Sequence, residues 1–232
     1  IPDNYFDESI HLGVSCTESV FKTQINEILK QYRITTEIGI PNSCVITFDD
    51  GYCNNFENAN KILKDKNLPA VFFITSDLIE NQDILWIDKI LFWFSYVPVG
   101  NYNICGLSFC VSEKNRENLY IESYLYILKN YKEKNIFIQE MNRIYAFSLL
   151  NIGLDLYSSR FNPLSTSQIE EMKTNGHLIA SHSTSHDILS KLDDIELSDE
   201  IVKCERLISS LYNCNYFSYP FGTEKEVNDK VV

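Results

Sequence analysis

Short apolar runs alternate with helical patterns along this chain, and that alternation limits the fold more than any other feature. The run 70–75 is apolar almost throughout, as expected of a strand buried on both faces of a parallel sheet. Parallel strands need a crossover, which the helical patterns between the runs supply. We therefore predict an α/β fold with a parallel sheet, most economically a (β/α) barrel. The predicted strands are 43–48, 70–75, 178–181 and 216–219, and the predicted helices are 19–31, 56–67, 167–174 and 197–211.

Residues 77–163 interrupt the alternation. This stretch is rich in Tyr, Phe, Ile and Leu and contains both tryptophans, Trp86 and Trp93. We predict that it forms a mainly helical insertion over one rim of the barrel, within a single domain that spans residues 1–232. Core packing is the favoured interpretation of its aromatic side chains, and a sugar-binding cleft is the alternative for some of them.

Two adjacent acidic residues follow the first apolar run. Asp49 and Asp50 come directly after 43–48 and before Gly51. At the end of a strand, where the chain turns, two neighbouring acids can reach one site from different directions, so that one binds a cation and the other accepts a proton. The alternative is an ordinary Asp-Gly turn, in which Asp hydrogen-bonds to its own backbone and Gly takes a positive φ.

A pair of histidines supplies the second half of such a site. His182 and His186 are four residues apart and can share a metal ion on one face of a helical turn, although surface or N-cap positions are the alternative for an isolated pair. They follow the apolar run 178–181. Because the carboxyl ends of parallel strands meet at one edge, both motifs are placed to meet there. Together they predict a metal-dependent hydrolase.

Composition excludes several other classes of protein. The formal charge of −12 over 232 residues leaves no basic patch for nucleic acid. The apolar stretch 84–99 contains Asp88 and Lys89 and is too short to span a membrane, so a buried or interfacial helix is the favoured interpretation. A membrane contact is not expected and is kept as the alternative. Seven cysteines without a Cys-x-x-Cys pair favour reduced thiols and a cytoplasmic location, with the cell envelope as the alternative.

Three motifs in order resemble those of the polysaccharide deacetylases of carbohydrate esterase family 4, the NodB-homology domain. Residues 47–52 (Thr-Phe-Asp-Asp-Gly-Tyr) match the first motif, and residues 182–186 match its His-[Ser/Thr]-x-x-His second motif. Residues 218–222 look like the third, in a Tyr-Pro-Phe-Gly variant. The resemblance runs from about residue 12 to 222. It implies a distorted (β/α) barrel that hydrolyses N-acetyl groups of amino sugars in a glycan or glycolipid.

The resemblance also implies roles for individual residues. Asp50, His182 and His186 would bind a divalent cation, most often Zn²⁺, and Asp49 would be the general base. The backbone N–H of Phe221 would help to form the oxyanion hole. Two imidazoles and one carboxylate leave positions open for water and substrate, as a catalytic zinc ion requires. Substrate contacts are expected at Tyr52, Tyr219, Pro220 and Gly222.

The chain departs from the family pattern in two ways. Ser218 stands where many members carry an arginine that orients the base. The sequence given stops ten residues after Gly222, without the histidine that usually protonates the leaving amine, and neither His11 nor His177 is a convincing substitute. We therefore expect that the sequence is a fragment of a longer enzyme and that it lacks the C-terminal part of the barrel. The alternatives are a catalytically impaired carbohydrate-binding or scaffold protein, and a hydrolase of another non-peptide C–N bond.

Overall fold

The computed structural model describes residues 16–146, 161–208, 211, 213, 215–223 and 226–231. The chain divides into two compact units, residues 1–83 with 155–232 and residues 84–154. The predictions for His11, for Cys214 and for residues 147–160 of the insertion lie outside the described residues.

The first unit is built around a three-stranded parallel sheet whose strands are, in spatial order, β3 (Thr47–Phe48), β4 (Val71–Ile74) and β7 (Leu178–Ser181). Phe48 of β3 lies opposite Phe72 of β4, and Ile74 of β4 lies opposite Ser181 of β7. The α/β prediction is confirmed, and the described strands form no closed barrel. The strands of this unit are β1 Arg33–Ile34, β2 Ser43–Cys44, β3 Thr47–Phe48, β4 Val71–Ile74 and β7 Leu178–Ser181, and its α-helices are α1 Glu18–Ile28, α2 Lys61–Asp65, α3 Ser76–Asn81, α7 Thr166–Thr174 and α8 Asp194–Ile208. A π-helix, Asn55–Asn60, precedes α2, and a 3-10 turn, Leu189–Lys191, precedes α8.

Two predicted strands differ from the observed ones. The run 43–48 splits, because β2 pairs with β1 while β3 pairs with β4. The run 216–219 forms only a single parallel bridge, between Phe217 and Ser181. Ser218 N–H donates to the Ser181 carbonyl, but Pro220 has no N–H with which to continue the pairing.

The helices before β4 and β7 end in the same way. Asn67 and Gly176 adopt the left-handed conformation, with φ of 51° and 88°. After α2, Leu68 N–H donates to the Leu63 carbonyl, and an equivalent bond follows α7. This is the Schellman motif, which stops a helix and turns the chain sharply. Each turn leads the chain from a helix directly into one of two neighbouring parallel strands, β4 and β7.

Strand β4 is buried on both faces, which fits its position in the centre of the sheet. Phe72 and Ile74 pack into the larger core, while Val71 and Phe73 pack with Ala180 on the other face. This two-sided burial explains why the run is apolar without alternation. The larger core also holds Ile25, Ile34, Ile46, Leu63, Ala70, Ile79, Leu164, Ile169, Met172 and Ile179.

The second unit contains a β-hairpin that the prediction of a mainly helical insertion missed. Strands β5 (Gly100–Ile104) and β6 (Leu107–Val111) pair antiparallel across the turn Cys105-Gly106. Both turn residues have positive φ, 48° and 79°, as a two-residue type I′ hairpin turn requires. Cys-Gly is a weak signal for that turn compared with Asn-Gly or Asp-Gly. The elements are α4 Trp86–Tyr96, β5 Gly100–Ile104, β6 Leu107–Val111, α5 Arg116–Lys129, a 3-10 turn Tyr131–Glu133, and α6 Lys134–Ile144.

Both tryptophans of this unit are buried and pack against neighbouring residues. Trp93 is fully buried and donates through Nε1 to the Met141 carbonyl at 2.7 Å. Trp86 is buried against the rings of Tyr124 and Tyr131, and Lys134 Nζ lies over it. Within the described ranges, no helix combines the length and the apolar composition needed to cross a membrane.

His177 connects the amino ends of β4 and β7 inside the first unit. Its Nδ1 accepts a hydrogen bond from Ala70 N–H at 3.1 Å, so the hydrogen of a neutral ring is on Nε2, which lies 3.0 Å from Asn60 Oδ1. Asn175 donates to the same oxygen. Burial lowers the pKa of His177 to about 4. The residue therefore acts as a neutral hydrogen-bonding link far from the carboxyl ends of the strands.

This burial makes the stability of the fold sensitive to acid. The pKa of His177 in the folded protein lies below the ordinary value of 6.5. The contribution of the neutral ring to the free energy of unfolding is therefore fully present above pH 6.5 and is lost as the pH falls towards 4. The loss can reach roughly 3 kcal/mol. Urea unfolding from pH 7.5 to 4 should show a steeper fall for the wild type than for His177→Asn, which keeps an acceptor near Nδ1 but cannot titrate. Parallel curves for the two proteins would contradict this assignment.

Candidate metal centre

Asp50 occupies a strained turn just beyond β3. Its φ is 76°, and Gly51 N–H donates back to the Asp49 carbonyl at 3.0 Å. A positive φ combined with this three-residue hydrogen bond defines the rarer and strained form of the γ-turn. Thr75 N–H donates to the Asp50 carbonyl and fixes the turn against the end of β4. The separation of the two neighbouring acids within one site stays a prediction.

The two histidines lie on a loop and not on a helical turn. His182 follows β7 directly, and its N–H donates to the Ile74 carbonyl. Ser183 and His186 both adopt the left-handed conformation, with φ of 64° and 60°. Ser183 Oγ accepts from His186 N–H at 3.1 Å. The helical interpretation of their spacing is therefore wrong, and a folded loop brings the imidazoles together instead.

Three predicted ligands converge on one point. Asp50 Oδ1 lies 3.5 Å from His182 Nε2 and 3.3 Å from His186 Nε2, and one ligand atom from each residue lies within 4.8 Å of the other two. These separations are longer than good hydrogen bonds. Two atoms that each lie about 2.1 Å from a tetrahedral zinc ion are about 3.4 Å apart. The residues present therefore fit a divalent cation.

A backbone carbonyl fixes the ring orientation of His182. Its Nδ1 lies 2.8 Å from the Ser218 carbonyl oxygen, which can only accept, so Nδ1 carries the hydrogen. Nε2 then presents its lone pair towards Asp50, as a metal-ligating imidazole requires. Ser218 thus contributes through its main chain, and no side-chain type at that position could have indicated this role.

The electrostatics of Asp50 and His186 favour cation binding. Burial by itself raises the pKa of Asp50, but the neighbouring imidazoles of His182 and His186 outweigh it and lower the net pKa. Burial lowers the pKa of His186 to about 4. Burial also opposes protonation of His182, yet Asp50 outweighs it and raises the pKa of that ring. An ionised carboxylate and a neutral His186 are the forms that bind a metal ion.

Asp49 lies beside the three ligands without belonging to them. Desolvation raises the pKa of its carboxyl, His182 opposes the rise, and the neighbouring charge of Asp50 adds to it. Asn55 Nδ2 donates to the Asp49 carbonyl at 3.2 Å and holds the main chain in place. A carboxylate in this position can exchange a proton with water next to the three-residue site.

The third motif reaches the same place through another strained turn. Phe221 has a φ of 64°, and Gly222 N–H donates to the Pro220 carbonyl at 2.8 Å, which forms a second γ-turn. The Phe221 ring lies 5.0 Å from the His186 ring. Pro220 is buried and Gly222 is exposed, while Tyr219 is partly exposed with its ring against Phe217. The structure therefore brings Phe221 next to the predicted ligands.

Tyr52 has a packing role. Its side chain is almost covered, with 8% of the residue surface exposed, and its ring meets Phe161 at a centroid distance of 5.9 Å. Its backbone forms a bridge with Pro163. A substrate contact through Tyr52 stays a prediction, as do the contacts expected of Tyr219, Pro220 and Gly222.

Thr75 links the two halves of the site, a role that the sequence motifs did not predict. Its N–H donates to the Asp50 carbonyl at 3.0 Å, and its Oγ1 donates to the His182 carbonyl at 3.3 Å. The residue is fully buried. Its only sequence signal was its position at the end of an apolar run, where threonine is common for unrelated reasons.

Comparison with known proteins identifies the family. Residues 39–232 match the family model for polysaccharide deacetylases. The chain belongs to this family. The resemblance inferred from the three motifs is thereby confirmed. No curated protein is detectably similar to this polysaccharide deacetylase chain in sequence.

Solved structures share the fold of this deacetylase chain. The Streptococcus pyogenes deacetylase PplD, in complex with acetate, superposes with a TM-score of 0.54 at 13% identity, covering 97% of this chain and 72% of that one. The Bacillus anthracis protein BA0330, assigned as a polysaccharide deacetylase, gives a TM-score of 0.50 at 15% identity, covering 94% of this chain and 49% of that one. At these identities the likeness establishes a common fold, here a distorted and incomplete barrel.

The Asp50 turn leaves no room for a side chain at Gly51, and the effect of adding one on the free energy of unfolding can be measured. Gly51 has a φ of 98°, and an added Cβ would meet Ile74 Cγ2 at 2.9 Å. Gly39 is the matched control, because its φ of 86° carries similar strain while an added Cβ would meet nothing within 4 Å. We expect Gly51→Ala to lower the free energy of unfolding by about 1–3 kcal/mol more than Gly39→Ala does, in urea with a chelator present. Equal losses would show that Ile74 leaves room at the turn.

Proposed function

We propose that this chain is a metal-dependent deacetylase that removes N-acetyl groups from an amino-sugar-containing glycan or glycolipid. The observation that carries the proposal is the convergence of Asp50 Oδ1 with the Nε2 atoms of His182 and His186 at 3.3–3.5 Å. Family membership supports the reaction class. The relative from Streptococcus pyogenes was solved with acetate, the acid that deacetylation releases.

Asp50, His182 and His186 would hold the cation, with Zn²⁺ the best match to two nitrogen ligands and one oxygen ligand. When bound, the cation supplies Lewis-acid polarisation of the acetyl carbonyl and makes water a better acid. The Ser218 carbonyl keeps Nε2 of His182 available as a ligand. Thr75 keeps the Asp50 turn beside the histidine loop.

Asp49 would act as the general base. Its carboxylate takes a proton from the water that attacks the acetyl carbon, and the carbonyl oxygen gains the negative charge. The Phe221 N–H would donate to that oxyanion; the loss of one such donor typically costs about 3 kcal/mol of barrier. The C–N bond then breaks to give acetate. The proton balance closes if Asp49 passes its proton to the leaving nitrogen.

Single substitutions separate metal binding from turnover. Asp50→Ala and His182→Ala should lose bound metal and activity, because each removes one of three ligands. Asp49→Asn should keep the metal and lose about 10²–10⁴-fold in acetate release, because it removes only proton transfer. The measurements are elemental analysis of the purified variants and acetate release from chitooligosaccharides.

His177→Asn is the matched control, since it removes a buried histidine outside the site. It should retain the metal content and the activity of the wild type at pH 7.5. If Asp50→Ala keeps its metal, the ligand assignment is wrong. If the wild type binds metal and glycan but releases no acetate from any N-acetylated glycan, the carbohydrate-binding alternative replaces the enzyme.

A further inference from the structure

A buried carboxylate from helix α8 faces the loop between the two ligand histidines. Glu200 is 8% exposed, and its Oε2 accepts from Thr184 N–H at 3.1 Å and from Ser185 N–H at 2.9 Å. Its Oε1 accepts from Ser185 Oγ at 2.7 Å. All three of these donors belong to the residues that separate His182 from His186. No motif in the sequence pointed to Glu200.

Helix α8 forms two further hydrogen bonds with the loop. Thr184 Oγ1 donates back to the Glu200 carbonyl at 2.8 Å, and Cys204 Sγ, one turn later, donates to the Ser183 carbonyl at 3.0 Å. Residues 183–185 are therefore held by side-chain and main-chain atoms along one face of α8. Helix α3 also contacts the loop, because Ser76 N–H and Asp77 N–H donate to the Ser183 and Thr184 carbonyls, whereas the acceptor for the Thr184 and Ser185 N–H groups comes from Glu200.

The loop requires such support because of its backbone conformation. Ser183 and His186 are both left-handed, a conformation that side chains other than glycine adopt only when the surroundings impose it. Without Glu200, two N–H groups at Thr184 and Ser185 would be left without their acceptor. The loop would then relax towards a conformation that aims one or both imidazoles elsewhere.

We propose that Glu200 is the positioning residue of the cation site: by accepting from Thr184 and Ser185, it sets the separation of His182 and His186 that Asp50 completes. This inference rests on the proposed function, because it takes the three residues as cation ligands. Glu200 is not one of the three converging residues, and its carboxylate acts on them through the loop.

Hydrogen-bond geometry distinguishes the role of Glu200 from a requirement for its charge. In Glu200→Gln, the amide oxygen can replace Oε2 as the acceptor for both N–H groups, and the amide nitrogen can donate to Ser185 Oγ, which is also an acceptor. Glu200→Asp keeps the charge but retracts the carboxylate by one methylene. A positioning role therefore predicts that Gln works better than Asp at this position.

The test compares Zn²⁺ affinity, measured by chelator competition, in Glu200→Ala, Glu200→Gln and Glu200→Asp. We expect at least a 10-fold loss for Ala, a clear loss for Asp, and a value within about 3-fold of the wild type for Gln. Met172→Ala is the control, because it opens a cavity in the core of the same unit and should leave the affinity unchanged. If Glu200→Ala does not fold, the proposal is tested by the relative Zn²⁺ affinities of Glu200→Gln and Glu200→Asp, of which Glu200→Gln should be the higher.

Hydrogen exchange in the metal-free protein gives a second readout. The amides of Thr184 and Ser185 should exchange faster in Glu200→Ala, and at the wild-type rate in Met172→Ala. Wild-type affinity in both the Ala and Asp variants, or an equal loss in Met172→Ala, would overturn the role of Glu200 and leave the proposed function standing. A wild type that takes up no Zn²⁺ would overturn both.

Discussion

The parallel register of β3, β4 and β7 is the constraint on which the site depends. Because Phe72 pairs with Phe48 on one side and with Ile179 on the other, the chain leaves the two outer strands at the same edge of the sheet. Phe72 and Ile74 of β4 pack into the larger core while Val71 and Phe73 pack into the smaller one, so a slip of one residue would exchange the two sets between cores of different shape. Asp50 and His182, far apart in sequence, meet only because of it.

Backbone strain is concentrated where the strands end. Asp50, Ser183, His186 and Phe221 all have φ between 60° and 76°, a conformation that costs of order 1–3 kcal/mol per residue. At Asp50 and in the histidine loop, hydrogen bonds from outside the turn offset this strain. Thr75 supports the Asp50 turn, and α8 supports the histidine loop. A site of short-range turns thus rests on long-range contacts.

Much of this arrangement was predictable from residue type and spacing. Apolar runs identified β4 and β7, and the rule that parallel strands present their carboxyl ends at one edge brought Asp50 and His182 together. The Cys105-Gly106 hairpin was missed because its turn carries little of the usual signal. The contribution of Ser218 could not be predicted, because a backbone carbonyl is common to every residue. The histidine loop was misread as helical because spacing alone does not reveal a left-handed φ.

The most direct test of the metal centre is X-ray absorption spectroscopy of the protein loaded with one equivalent of Zn²⁺. The spectrum should show only nitrogen and oxygen neighbours at about 2.0–2.2 Å, with outer-shell scattering from two imidazole rings. Scattering from a sulfur atom at about 2.3 Å, or from fewer than two imidazoles, would contradict a centre formed by Asp50, His182 and His186.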